Sequence, residues 1–156
     1  HSEEIYTSKK WPTDPLFYMS APSMTDDSVA PDGHENLFIL IPIAPDLEDN
    51  EAIREHYFSR VLERIKMITG EDLQDRIVYK RSYCVKDFKA DYHSFQGNAY
   101  GLANTLRQTA FMKPKMKSRK LDNLYFTGQL TVPGPGIPPA LISGQIVARE
   151  VMKNYA

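Results

Sequence analysis

TGQLTVPGPGIPPALISGQ, residues 127–145, places Gly128, Gly134, Gly136, Pro133, Pro135, Pro138 and Pro139 between a short apolar stretch and a long helix-forming one. An ordinary connector needs about two to six residues and one turn-former. This segment is over-specified for a turn, so something is expected to rest against it. The first-turn N–H groups of the following helix have no partners inside it and carry partial positive charge. An electron-rich ligand group placed there gains hydrogen bonds and a favourable dipole. Gly134 and Gly136 admit close approach to the backbone, and the prolines stiffen it. On spacing alone the same pattern also reads as a structural corner. It is not the GxGxxG dinucleotide fingerprint, whose tight turn opens directly into a helix.

Before the segment, NLYFTG at 123–128 reads as a strand; after it, a helix is expected from Pro138 to Asn154. Pro138 and Pro139 suit first-turn positions. Ala140, Gly144 and Ala148 recur at four-residue steps and form a stripe of small residues suited to close packing. Upstream, KPKMKSRK at 113–120 is the one basic cluster, read as a solvated loop or as a patch facing anionic headgroups. DFKADYHSFQGNAYGLANTLRQTAFMKP, 87–114, mixes aromatics with glycine and small polar residues. It is expected to be ordered but irregular, with one or two helical turns.

The rest of the chain has clearer periodicity. EAIREHYFSRVLERIKMITG, 51–70, repeats Ile53, Tyr57, Val61, Ile65 and Ile68 at helical spacing. Asp49 or Asn50 can cap its start, and Gly70 suits its stop. Its Arg54, Glu55, Glu63, Arg64 and Lys66 read as a solvated face. Strands are expected at LFYMSA, 16–21, at LFILIPI, 37–43, and at RIVYKRSYCV, 76–85. The first two pair antiparallel, and the second, apolar on both faces, is expected to lie centrally. Residues 1–14 are polar and read as a loosely held lead-in with a short strand near Ile5 and Tyr6.

Composition sets the class. The 156 residues are 42% hydrophobic and 25% charged, with a net charge of -1. That suits a globular domain and gives no reason to expect nucleic acid as a partner. No apolar run reaches the roughly 18 residues of a membrane span. Cys84 is the single cysteine and reads as a small buried hydrophobe without thiolate activation. His1, His34, His56 and His93 are scattered, so no metal site is expected. There is no Ser-His-Asp constellation and no pair of catalytic carboxylates; no residue is assigned a catalytic role.

NLYFTGQLTVPGPGIPPALISGQIVA resembles the C-terminal flavin-binding signature of the bacterial phytoene desaturase (phytoene dehydrogenase) family, a carotenoid-acting branch of the flavin amine oxidase-like enzymes. The resemblance extends to WPTDPLFYMSAPSMTDDSVAPDGHENLFILIP, 11–42, and to 87–114, and so covers nearly the whole chain. Gln129 after Gly128 and Pro139 after Pro138 depart from the commoner family wording and mark a sub-branch.

The resemblance implies an FAD-dependent oxidoreductase that dehydrogenates a long polyene hydrocarbon at a membrane surface, cytoplasmic and peripherally attached. Polyene isomerisation or saturation by a relative of the same kind, or a lipid- or protein-binding module, are the alternatives. It implies an α+β fold: a mainly antiparallel sheet with a packed helix, plus the closing strand and C-terminal helix of a dinucleotide-binding domain. The lead-in would span 1–14, the substrate-domain part 15–121 and the FAD-domain part 122–156. Gly128 and Gln129 would lie near the ribityl-pyrophosphate, Gly136, Ile137 and Pro138 beside the flavin ring, and Leu141 against it. Phe88, Tyr92, Phe95, Tyr100, Leu102 and Phe111 would wall an apolar tunnel for substrate. The family's glycine-rich ADP-binding fingerprint is not in these residues. The chain is therefore expected to be the C-terminal portion of a longer enzyme, poor at binding FAD by itself, with strand 123–128 pairing locally or with a second copy in a homodimer.

Overall fold

The computed structural model describes residues 1–103, 105–109 and 112–155, the side chain of Tyr155 excepted. The fold is α+β: among the described residues it has a two-stranded antiparallel sheet, three α-helices and several single helical turns. The chain divides into two compact units, His1–Gly97 and Asn98–Ala156.

In the first unit, β1 (Tyr18–Ser20) and β2 (Phe38–Leu40) pair antiparallel, with Tyr18 opposite Leu40 and Ser20 opposite Phe38. Both are shorter than their apolar runs. Contrary to expectation, β2 is not central, because β1 is its one neighbour among the described residues. Phe38 consequently stays exposed. Between the strands, Asp26 caps a helical turn by accepting from the Ser28 amide at 2.9 Å.

Helix α1 (Glu51–Thr69) follows the predicted periodicity, burying Val61 and Ile65. Asn50 is the cap, its side chain accepting from the Ile53 amide at 2.9 Å. Gly70 closes the helix in the left-handed conformation. The lead-in is held more firmly than its polarity suggests. Ile5 is buried, Trp11 stacks on Tyr57 with ring centroids 4.6 Å apart, and the Tyr57 hydroxyl donates to the Pro12 carbonyl at 2.7 Å. Around Ile5 and Tyr6 the backbone forms a wide helical turn, Glu4–Ser8, and not a strand.

The expected strand 76–85 is not formed. The chain runs from a helical turn, Gln74–Arg76, through exposed Val78 and Tyr79 into α2 (Val85–Tyr92). Carboxylates explain the helix. Asp87 accepts from the Cys84 amide at 2.7 Å and Asp49 from the Lys86 amide at 2.8 Å, satisfying donors that a helix start leaves open. Arg54 joins the two acids, forked onto Asp49 at 2.7 Å through Nε and Nη2 and reaching Asp87 at 2.7 Å. Arg54 is thus a largely buried strut between α1 and α2, where the sequence suggested a solvated face. Its hydrogen bonds hold the Asp49 carboxyl below its ordinary pKa, against the opposing effect of burial. Cys84 is half-buried, and burial pushes its thiol pKa up, in keeping with an unactivated cysteine.

In the second unit, the expected strand 123–128 reduces to one antiparallel bridge, Lys117 with Tyr125. Two bonds flank it: Ser118 N–H to Leu124 C=O at 2.9 Å and Phe126 N–H to Met116 C=O at 2.7 Å. The basic run and the apolar run therefore form a short hairpin. Helix α3 (Ile137–Tyr155) begins one residue before the predicted start, with Pro138 and Pro139 in its first turn.

Candidate functional site

The Gly/Pro corner is built by one side chain that spacing arguments passed over. Ser143, on α3 and fully buried, accepts the Gly128 amide at 2.7 Å and lies 2.6 Å from the Thr127 hydroxyl. Its own proton goes to the Ala140 carbonyl at 2.6 Å. One donor and two acceptor positions are all a serine hydroxyl has. Thr131, also fully buried, folds back so that its amide and hydroxyl donate to the Gly128 carbonyl at 3.1 and 2.9 Å. Of the small-residue stripe, Gly144 faces Thr127: a methyl group there would stand 3.8 Å from the threonine oxygen. Ala148 is exposed.

At the opening of α3 the donors are few. Pro138 and Pro139 carry no N–H, and the first helical bond runs from the Ala140 amide to the Gly136 carbonyl at 3.0 Å. The amides of Gly136 and Ile137 remain, and among the described residues neither has an acceptor. Gly136 has φ +109°, a conformation that side chains other than glycine's strain to adopt. Ile137 and Leu141 are 79% and 67% exposed. Pro138 is also exposed, and Gln129 is half-buried. A methyl group at Gly128 would meet nothing within 4 Å, so the backbone there is open. Two free amides beside an apolar helix face suit the edge and plane of a flat heteroaromatic ring.

The candidate substrate residues fall in three places. Phe88 and Tyr92 lie on α2 and cluster with Tyr83, whose ring centroid is 4.8 Å from Phe88 and 6.5 Å from Tyr92. Partial desolvation of its half-open ring first, then a 2.7 Å hydrogen bond to Asp91, pushes the Tyr83 pKa up to about 12. Phe95 follows in the next helical turn, exposed. Tyr100, exposed, and Leu102, half-buried, belong to the second unit. Phe111 lies outside the described residues. A cavity of about 400 Å³ in the first unit, walled by Asp14, Arg60, Glu63 and Arg64 together with Pro15, Phe17 and Met67, contains none of these candidate aromatics.

Lys113 is the second residue that sequence reasoning misplaced. It belongs to the cluster read as solvated, yet it is 7% exposed. A methyl group at Gly134 would stand 3.6 Å from its Cε and 3.8 Å from its Nζ. Nothing in the charge pattern separates it from Lys115 or Lys117. The sequence held more of a hint for Asp87, an acid three residues after Cys84 just before an apolar-periodic run.

Comparison with known proteins places these features. No family model matches the chain. Over all 156 residues it is 50% identical to a carotenoid 3,4-desaturase of Haloarcula japonica, covering 32% of that protein. It is 32% identical over 160 residues, 97% of this chain and 32% of the other, to a 4,4'-diapophytoene desaturase of Staphylococcus aureus. It is 30% identical over 155 residues, 99% of this chain and 31% of the other, to a 4,4'-diapolycopen-4-al dehydrogenase of Metabacillus indicus. The chain is thus related along its whole length to carotenoid desaturases and spans about a third of theirs.

Proposed function

We propose that this chain is the C-terminal part of an FAD-dependent carotenoid desaturase, an oxidoreductase that introduces double bonds into a long polyene. One observation carries the reading: half of all positions, from the first residue to the last, match a carotenoid 3,4-desaturase. The local geometry fits the cofactor. FAD, when bound, supplies an acceptor for two electrons and a proton, which no side chain can supply. Gly128 and Gln129 would hold its ribityl-pyrophosphate part, and Gly136, Ile137, Pro138 and Leu141 would border its ring. The amides of Gly136 and Ile137 would be free to donate to an electron-rich ring edge, which would favour its reduced form. Residues 15–121 serve the substrate domain and 122–156 the cofactor domain.

The polyene has no charge to grip, so binding rests on apolar area and shape. Phe88, Tyr92 and Phe95 of the first unit would offer it apolar aromatic surface. No helix of the described residues is long and apolar enough to cross a membrane. A substrate dissolved in lipid then calls for attachment to the membrane surface, on the cytoplasmic side. A second reading, oxidation of a terminal polyene aldehyde, is favoured by the similarity to the M. indicus dehydrogenase.

The test is expression of the whole reading frame that contains this chain, in cells making a carotenoid. A yellow, flavin-loaded protein and a product with longer conjugation are expected. A colourless, flavin-free protein would overturn the proposal, and an acid product would select the second reading.

A further inference from the structure

A cation is buried at the back of the Gly/Pro corner, and nothing in the proposed reaction has yet used it. Lysine is among the residues least often buried, because removing an ammonium from water costs several kcal/mol unless the site compensates. Lys113 is nonetheless 93% covered, with its Cε and Nζ against Gly134. A methyl group at Gly134 would meet both atoms at ordinary van der Waals distance, 3.6 and 3.8 Å, so the lysine stem lies directly alongside this glycine. Two and three positions further on are the amides of Gly136 and Ile137, which have no acceptor among the described residues. Lys113 already has an interaction within the fold, and an ammonium with three donors can keep it while facing another group.

The surrounding charge points the same way. Residues 98–156 contain eight Lys and Arg against two Asp and Glu, although the chain as a whole carries a net charge of -1. One of the two acids, Glu150, is paired with Lys153 at 3.1 Å. The second unit is therefore a positive body with a buried cation beneath its one over-built corner. Such an arrangement favours a negative or electron-rich ligand and gains strength as that ligand acquires charge.

We infer that Lys113 is a tuning residue of this corner, supplying the positive charge that stabilises the electron-rich ring edge when the cofactor is reduced. The inference rests on the flavin reading above. It requires no bond to form or break at lysine: the ammonium keeps its three protons and acts by charge alone. The remaining lysines and arginine of 113–120 are exposed and have no part in it.

The experiment uses the whole flavoprotein, purified as wild type, Lys113→Met, Lys113→Gln and Lys113→Arg. Flavin content is read by absorbance, the two-electron midpoint potential by reductive titration, and anionic-adduct affinity by titration with sulfite. Lys113→Met should retain flavin, lose about tenfold in sulfite affinity and shift the reduction equilibrium about tenfold toward the oxidised form, or about 30 mV for two electrons. Lys113→Arg should restore both, which a purely structural role would not predict. Lys113→Gln, neutral but hydrogen-bonding, covers a methionine variant that fails to fold. Flavin-loaded neutral variants with wild-type potential and sulfite affinity would overturn this inference alone. A wild-type protein without flavin would overturn the reading beneath it as well.

Discussion

The hydroxyl of Ser143 accepts the amide of Gly128 at 2.7 Å and fixes the start of the Gly/Pro segment to the second turn of the helix that ends it. The pin is buried, and all of its bonding capacity is used. Ser143→Ala would leave the Gly128 amide without a partner at a cost of about 1–3 kcal/mol. The expected outcome is a lower urea midpoint with an unchanged slope. An unchanged midpoint would mean that water replaces the hydroxyl.

The strut Asp49–Arg54–Asp87 gives a second prediction. Asp49 is buried, and the Arg54 bonds depress its pKa below the ordinary 3.8. A depressed folded-state pKa stabilises the fold above the unfolded value and loses that contribution as pH falls through the folded one. The wild type should therefore begin to weaken below about pH 3.8. Arg54→Met strands a buried carboxylate and should cost on the order of 3 kcal/mol at pH 7. The difference from wild type should narrow as acid neutralises Asp49. Denaturant curves at pH 7 and pH 3 measure both; a constant difference would refute the coupling.

Tyr83 should titrate late. Although Tyr83 is 38% exposed, its pKa of about 12 owes more to partial desolvation beside Phe88 and Tyr92 than to Asp91. In alkaline difference spectra against Tyr83→Phe, its phenolate should emerge well above the ordinary value of 10.0. Asp91→Asn should recover only part of the shift, whereas full recovery would assign it to the hydrogen bond.

Leu141 and Ile137 separate ligand binding from folding. Both are mostly exposed on α3, so Leu141→Asp or Ile137→Asp should change the stability of the isolated chain by no more than about 0.5 kcal/mol. In the whole protein either change should abolish flavin retention through desalting. Normal flavin content in both variants would remove these residues from the ring site.

Much of the fold was legible wherever one period dominated. The 51–70 repeat marked α1 and its Gly70 stop, left the cap between Asp49 and Asn50, and the proline pair marked the opening of α3. Residues 76–85 misled because alternating Ile77, Tyr79 and Tyr83 imitate a strand that would need a partner, and Val78 and Tyr79 in fact face solvent. What decides that region is Asp87 with Arg54, 33 residues apart, a distance that local pattern does not reach. The candidate site divides the same way. Glycine and proline advertise the corner, whereas Ser143 and Lys113 declare themselves only once burial is known. Sequence gives one lysine of a basic run no mark that the others lack.

The proline pair at the head of α3 has an implication for what can dock there. An intact helix start offers a ring of up to four amides, the grip that suits a tetrahedral phosphate. Here two consecutive prolines erase the inner half of that ring, leaving adjacent donors at Gly136 and Ile137. Such a pair reads a line of neighbouring acceptors, as on one side of a pyrimidine, and discriminates against a compact anion. Pro139→Ala would return a third donor and should turn the end of α3 from a reader of edges into a catcher of oxyanions.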